Sequence, residues 1–153
     1  MKYFAFGSNM SRTRLKERGI IPTIIRSAWL DDYELVFNKK SKNNNQIGFA
    51  NIEYKETSTV YGILYWITEE ELKKLDKFGG HPIHYIRKEI QVGTPFGDET
   101  AITYIAQNEW VDNSCKPTKQ YIDFLIEGQK FIPIDYVDKI KNMNGRLKTM
   151  SVL

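Results

Sequence analysis

The run Tyr3-Phe4-Ala5-Phe6-Gly7-Ser8-Asn9-Met10 holds the first residues whose types and order suit chemistry. A short apolar strand stops at a Gly-Ser-Asn turn. Glycine lets a backbone come close to a ligand and takes dihedral angles that a side chain forbids. Ser and Asn place donors and acceptors beside it. Successive N–H groups in such a turn can hold a carboxylate, or an oxyanion that develops during a reaction. Many strands that do no chemistry also end this way. The turn alone therefore leaves two readings open, a ligand cradle and a plain strand end. It is not a phosphate loop, because no second glycine and no Gly-Lys-Ser/Thr follows. The single cysteine, Cys115, has no base at motif spacing to activate it and is read as incidental.

The elements that must position this turn follow from local signals. Residues 2–6 read as a buried first strand. Ser11 to Arg18 is helix-compatible, with Gly19 where a helix C-terminus wants it. Two short apolar runs lie between Ile24 and Asn38, on either side of a bend at Asp31-Asp32. Lys39 to Asn45 reads as a polar, mobile loop. Ile47–Tyr54, Val60–Ile67 and Tyr85–Val92 read as strands. The last alternates, with Ile86, Lys88, Ile90 and Val92 on one face and Tyr85, Arg87, Glu89 and Gln91 on the other. Thr94 to Asp98 is a turn, and Thr100–Gln107 pairs back as a hairpin. Thr68 with Glu71 makes a capping box that opens a helix to about Lys77, stopped by Phe78-Gly79-Gly80-His81-Pro82. Pro117 and Pro133 open two further helices. Strands first and helices last predict an α+β fold, a small curved mixed sheet or barrel with flanking helices.

Bulk properties narrow the classes. A chain of 153 residues with 41% hydrophobic and 27% charged residues fits one globular domain, residues 1–153, with about 144–153 as a loose tail. A net charge of +3, with no dense basic run, argues against nucleic acid; the basic stretch around Lys139–Lys148 reads as a solvated helix face and tail. One cysteine excludes an internal disulfide framework and a cysteine-rich metal site. No apolar segment approaches spanning length and no leader opens the chain, so a cytoplasmic home without membrane partners is expected. Eight Phe, nine Tyr and three Trp suit a β-rich core or a ring-lined pocket.

Five blocks in order resemble the γ-glutamylcyclotransferase-like family, which includes γ-glutamylamine cyclotransferases and AIG2-like proteins. They are Tyr3–Met10, Gly48-Phe49-Ala50-Asn51-Ile52, Val60–Tyr65, Leu75-Asp76 with Tyr85-Ile86-Arg87, and the two helix starts at Lys116–Tyr121 and Pro133–Tyr136. The resemblance implies a chemistry. The α-amine of a γ-glutamyl amine or peptide attacks its own γ-carbonyl, forms 5-oxoproline and releases the amine. The protein supplies the ring-closing pose and a carboxyl that moves the proton, with no metal or organic cofactor. It also implies that Tyr3, Phe4, Ala5, Phe6, Gly7 and Ser8 bind the glutamyl group and that Tyr121 closes over it. Phe6 stands where the family usually has Tyr.

One position departs from the pattern. Gly79 stands where the family has its acid/base glutamate, and a glycine cannot carry a proton. His81 is two residues on, with an imidazole suited to proton transfer near neutrality; its plain reading is an exposed turn residue. His84 and Glu89 are weaker substitutes: one starts a strand, and the other reads as a solvated partner of Arg87. Glu69, Glu70 and Glu71 suit the helix N-terminus. Asp76 is one turn early and short. Two functions therefore stay open: an intramolecular aminoacyl transferase, also describable as a lyase, or a catalytically impaired γ-glutamyl-binding protein. Selectivity for the leaving amine is expected from the loops Lys39–Asn45 and Gly80–His84.

Overall fold

The computed structural model describes residues 1–143; the expected loose tail at 144–153 lies outside the described residues. β1 (Lys2–Ala5) is apolar throughout its inner length because it is covered on both sides. It pairs antiparallel with β3 (Gly48–Trp66), Tyr3 opposite Tyr65, and parallel with β5 (Glu99–Ala106), Tyr3 opposite Ile102. With β2 (Ile24–Lys40) outside β3 and β4 (Tyr85–Val92) outside β5, the order is β2-β3-β1-β5-β4. The outer strands then meet: the Trp29 N–H donates to the Gly93 carbonyl at 3.0 Å, and the Gly93 N–H to the Trp29 carbonyl at 2.9 Å. The five strands thus curl toward a small barrel, as expected. A Cβ at Gly93 would run into the Trp29 indole, so the contact requires glycine.

β2 and β3 are longer than the sequence suggests. The bend at Asp31-Asp32 is a bulge inside one strand, and Ile47–Tyr54 and Val60–Ile67 are parts of another. Asp32 and Thr57 both take positive φ, 65° and 67°. The Asp32 carboxylate accepts from the Thr57 N–H at 3.1 Å, and the Asp31 carboxylate from the Thr59 hydroxyl at 3.2 Å. Side chains replace the ladder bonds that the bulge loses, so pairing resumes beyond it. Lys39, expected in a loop, is the penultimate residue of β2 and only 4% exposed.

The helices follow their local signals. α1 (Arg12–Glu17) is capped by Ser11, whose hydroxyl accepts from the Arg14 N–H, and Gly19 follows it at φ 81°. α2 (Glu69–Gly79) has the complete Thr68/Glu71 capping box and ends at Gly80 in the left-handed region. α3 (Lys119–Ile126) starts after Thr118 and α4 (Ile134–Lys141) after Pro133. Phe4, Met10, Leu15, Leu64, Leu72 and Leu125 are all within 2% of complete burial in the core that these elements share.

The expected face of β4 holds only at its far end. Ile90 and Val92 are buried, whereas Ile86 is 40% exposed and Tyr85 and Arg87 turn toward α2. α2 covers one face where the strand begins, and closure with β2 covers the other where it ends.

Candidate functional site

Below the first-strand turn lies a cavity of about 280 Å³. The turn forms one wall. Ser8–Met10 is a single 3-10 turn whose own bonds run from the Met10 N–H to Gly7 and from the Ser11 N–H to Ser8. The amides of Ser8 and Asn9 at its start are therefore not consumed by the turn itself. Asn9 is tied on three sides. Its amide donates to the Tyr3 hydroxyl at 3.0 Å, its side-chain oxygen accepts from Arg18 at 2.9 Å, and its carbonyl accepts from the Tyr65 hydroxyl at 2.8 Å.

β3 supplies the facing wall through another irregularity. Pairing with β2 shifts between Val36 and Lys39, and Ala50 drops out of the ladder. Two pocket tyrosines take up its peptide groups. The Ala50 N–H donates to the Tyr121 hydroxyl at 3.1 Å, and the Tyr85 hydroxyl donates to the Ala50 carbonyl at 2.7 Å. Gly7 comes in close beneath them. A Cβ there would lie 3.0 Å from the Ala50 Cβ and 3.2 Å from the Tyr121 hydroxyl. Tyr3, Phe6, Gly7, Ser8 and Tyr121 all line the cavity, whereas Phe4 and Ala5 are core residues behind it.

The electrostatics are one-sided. Arg14 and Arg18 are the charged lining residues, and no Asp, Glu or His joins them on the described wall. Burial pushes the Tyr3 phenol up to about 12 and raises those of Tyr85, Tyr104 and Tyr121 as well. For Tyr121, hydrogen bonds from Ala50 and Ser8 offset part of that rise. Burial, then the Arg14 charge, lowers the Arg18 guanidinium, which stays a cation. The wall can donate hydrogen bonds and attract an anion. It has no group that exchanges a proton readily near neutral pH.

Gly79 lines the cavity at the end of α2. A Cβ there meets nothing closer than the Tyr85 side chain at 3.8 Å, so a larger residue has room. The substitutes lie elsewhere. Asp76 is engaged: Arg87 donates to it twice, at 2.8 and 2.6 Å, and the Tyr104 hydroxyl donates at 2.6 Å. The His81 Nδ1 accepts from the Arg87 N–H at 3.3 Å, and the ring is outside the lining. His84 stacks on Trp110 at 3.7 Å, with Nδ1 2.8 Å from the Lys39 Nζ. Glu89 is an exposed residue of β4, opposite Ile102 in the ladder, away from the cavity. The Lys39–His84 contact joins the two loop regions expected to set selectivity.

Arg14, Arg18, Phe49, Phe78, Tyr85 and Tyr104 also line the cavity without having been assigned to it from sequence. The arginines had a local signal: they lie four residues apart, one helical turn, directly after the turn. Phe49, Tyr85 and Tyr104 reach the site through strand pairing and bulges, and Phe78 from the end of α2.

A family model described as gamma-glutamyl cyclotransferase, AIG2-like, matches residues 3–124. The chain belongs to this family. Relatives of the γ-glutamylcyclotransferase family agree along nearly all of it. Gamma-glutamylcyclotransferase of Homo sapiens is 29% identical over 146 residues, covering 91% of this chain and 76% of that one. A solved structure of a gamma-glutamyl cyclotransferase superposes with a TM-score of 0.79 at 25% identity, covering 99% of this chain and 94% of that one. YkqA from Bacillus subtilis shares the fold, with a TM-score of 0.79 at 21% identity over 97% of this chain and 56% of its own. No helix among the described residues of this family member is long and apolar enough to cross a membrane.

Proposed function

We propose that the cavity under the Gly7-Ser8-Asn9 turn binds the γ-glutamyl end of a small cytoplasmic amine or peptide and closes it to 5-oxoproline. The observation that carries this reading is the turn itself, held against Ala50 and Tyr121, with the Ser8 backbone bonded to the Tyr121 hydroxyl and the Asn9 amide left over by the turn's own hydrogen bonds. In the reaction the α-nitrogen forms a bond to the γ-carbon, and the bond from that carbon to the leaving nitrogen breaks. One proton leaves the α-nitrogen and one reaches the departing amine. The carbonyl oxygen gains charge as the carbon becomes tetrahedral, and an amide that the turn does not use, that of Asn9, suits that oxygen. The cavity's main contribution is to hold the chain folded, at a volume near the lower end of small-molecule sites.

A second reading is binding without turnover, favoured by Gly79 and by the absence of a carboxylate from the described lining. Losing a general acid/base costs roughly 10²–10⁴ in rate. One assay separates the two. Release of 5-oxoproline is measured from a panel of γ-glutamyl amines, γ-glutamyl amino acids and glutathione-like peptides, using the wild type and Gly79→Glu. Release by both supports the enzyme. Release by Gly79→Glu alone supports the binding protein. Release by neither, with no binding of any panel member, removes the γ-glutamyl reading.

A further inference from the structure

Arg14 lies in α1 and Arg18 is its C-terminal cap, so the two guanidinium groups enter the cavity from successive turns. Each rests on a ring, Arg14 on Phe124 at 4.4 Å and Arg18 on Phe78 at 4.7 Å. Among the described residues neither forms a salt bridge, and the Glu17 charge is the weakest of the influences on Arg18. Arg18 gives one N–H to Asn9. The Arg14 guanidinium makes no hydrogen bond there, and its Nε is buried without an acceptor. A buried guanidinium N–H without a partner is costly, and two neighbouring cations with no salt-bridged carboxylate between them add repulsion. Stacking leaves the planar edges free, and those edges match a carboxylate in two-point geometry.

We propose that Arg14 and Arg18 form a carboxylate-binding fork, and that the one-sided charge of the cavity selects a ligand with a carboxylate and an uncharged nitrogen. The fork stands on the geometry alone; the choice of ligand class rests on the γ-glutamyl reading above. A γ-glutamyl α-ammonium finds no carboxylate on this wall and stands near two guanidinium groups. Its free-amine form, or the cyclised 5-oxoproline with its neutral lactam nitrogen, suits the site better. The cavity therefore holds 5-oxoproline more tightly than a γ-glutamyl amine at neutral pH, and the product competes with the substrate.

Calorimetry on the full chain tests this with 5-oxoproline, with 5-oxoprolinamide (the same ring with a neutral amide), with a γ-glutamyl amine and with glutarate. The acid is expected to bind roughly 10- to 100-fold more tightly than the amide and more tightly than the γ-glutamyl amine at pH 7. Arg14→Gln and Arg18→Gln are each expected to weaken the acid about tenfold or more and leave the amide unchanged. Equal binding of acid and amide by the wild type overturns the fork, and this arm does not depend on a variant folding. Unchanged binding of the acid by both variants, with melting curves that show them folded, overturns it too. Tighter binding of the γ-glutamyl amine than of 5-oxoproline overturns the charge-selection claim. Arginine-dependent binding of glutarate, with no binding of 5-oxoproline or the γ-glutamyl amine, keeps the fork and removes the γ-glutamyl reading.

Discussion

Arg87 grips Asp76 with two hydrogen bonds, Nε to one carboxylate oxygen at 2.8 Å and Nη2 to the other at 2.6 Å. The pair ties the start of β4 to the middle of α2, three residues before Gly79, and Tyr104 adds a third bond from β5. Burial alone would raise the Asp76 carboxyl. The hydrogen bonds from Arg87 and Tyr104, with the Arg87 charge, outweigh it and hold the group below 3.8. A depressed carboxyl stabilises the fold above its ordinary pKa, and the contribution is lost as pH falls through the folded value. Asp76→Asn is expected to cost about 1–3 kcal/mol at pH 7 in urea denaturation, because the part-buried Arg87 loses its counter-charge. The gap from wild type narrows below pH 3.8. An equal gap at pH 3 and pH 7 contradicts this account.

Gly79→Glu is expected to raise 5-oxoproline release by roughly 10²–10⁴-fold if the new carboxyl reaches the reacting nitrogen. The added activity follows the ionised carboxylate on the acid side, so it rises with pH until the group is charged. The wild-type rate instead follows the free-amine fraction of the substrate and climbs further into the alkaline range. Matching pH profiles for the two proteins rule out a role for position 79 in proton transfer.

Gly7→Ala places a methyl group where the Ala50 Cβ and the Tyr121 hydroxyl already stand at 3.0 and 3.2 Å. Relief requires the Tyr121 hydroxyl to leave the Ala50 N–H. The expected cost is about 1–3 kcal/mol of stability from overpacking, with ligand affinity falling as well. Thermal melting and calorimetry on one preparation check both. Full retention of 5-oxoproline affinity would show that the close approach has no part in the site.

Lys39 is buried against Phe49, Tyr85 and Trp110, with the His84 Nδ1 as its close polar neighbour. Burial lowers its ammonium to about 8, and burial followed by the Lys39 and Lys42 charges lowers His84. A lysine with a depressed folded pKa costs the fold stability while it is charged. That cost disappears as pH rises from 8 toward 10.5. Lys39→Met is therefore expected to be neutral or stabilising by about 1–3 kcal/mol at pH 7, and its advantage shrinks by pH 10. A melting temperature below wild type at pH 7 refutes this.

What could be read from the chain divides by range. The Thr68/Glu71 box, the Ser11 cap and the glycines at 19 and 80 mark helix ends through neighbours a few residues apart, and the helices fall where those signals place them. Tyr85–Val92 is bounded by a turn on each side, and its two ends match, though its facing holds only at the far end. The expected bend at Asp31-Asp32 is a bulge inside one strand because its repair comes from the opposite strand, 25 residues away, where the Thr57 N–H donates to the Asp32 carboxylate. Lys39 looked like loop because nothing nearby in sequence announces the rings around it. At the site, the opening turn was visible in eight residues. The dependence of Ala50 on Tyr85 and Tyr121 was not, since those partners lie 35 and 71 positions along.

The bridge between Trp29 and Gly93 bears on how the molecule coexists with copies of itself. An open five-stranded sheet would show the free flanks of β2 and β4, ready templates for strand addition by another chain. Here the two flanks meet at one bridge, Trp29 with Gly93, through two backbone bonds, and the Trp29 indole packs over a position that only glycine can fill. Any side chain at residue 93 would pry the seam apart and bare both edges at once. Its first symptom would be precipitation during expression or refolding, ahead of any change at the cavity.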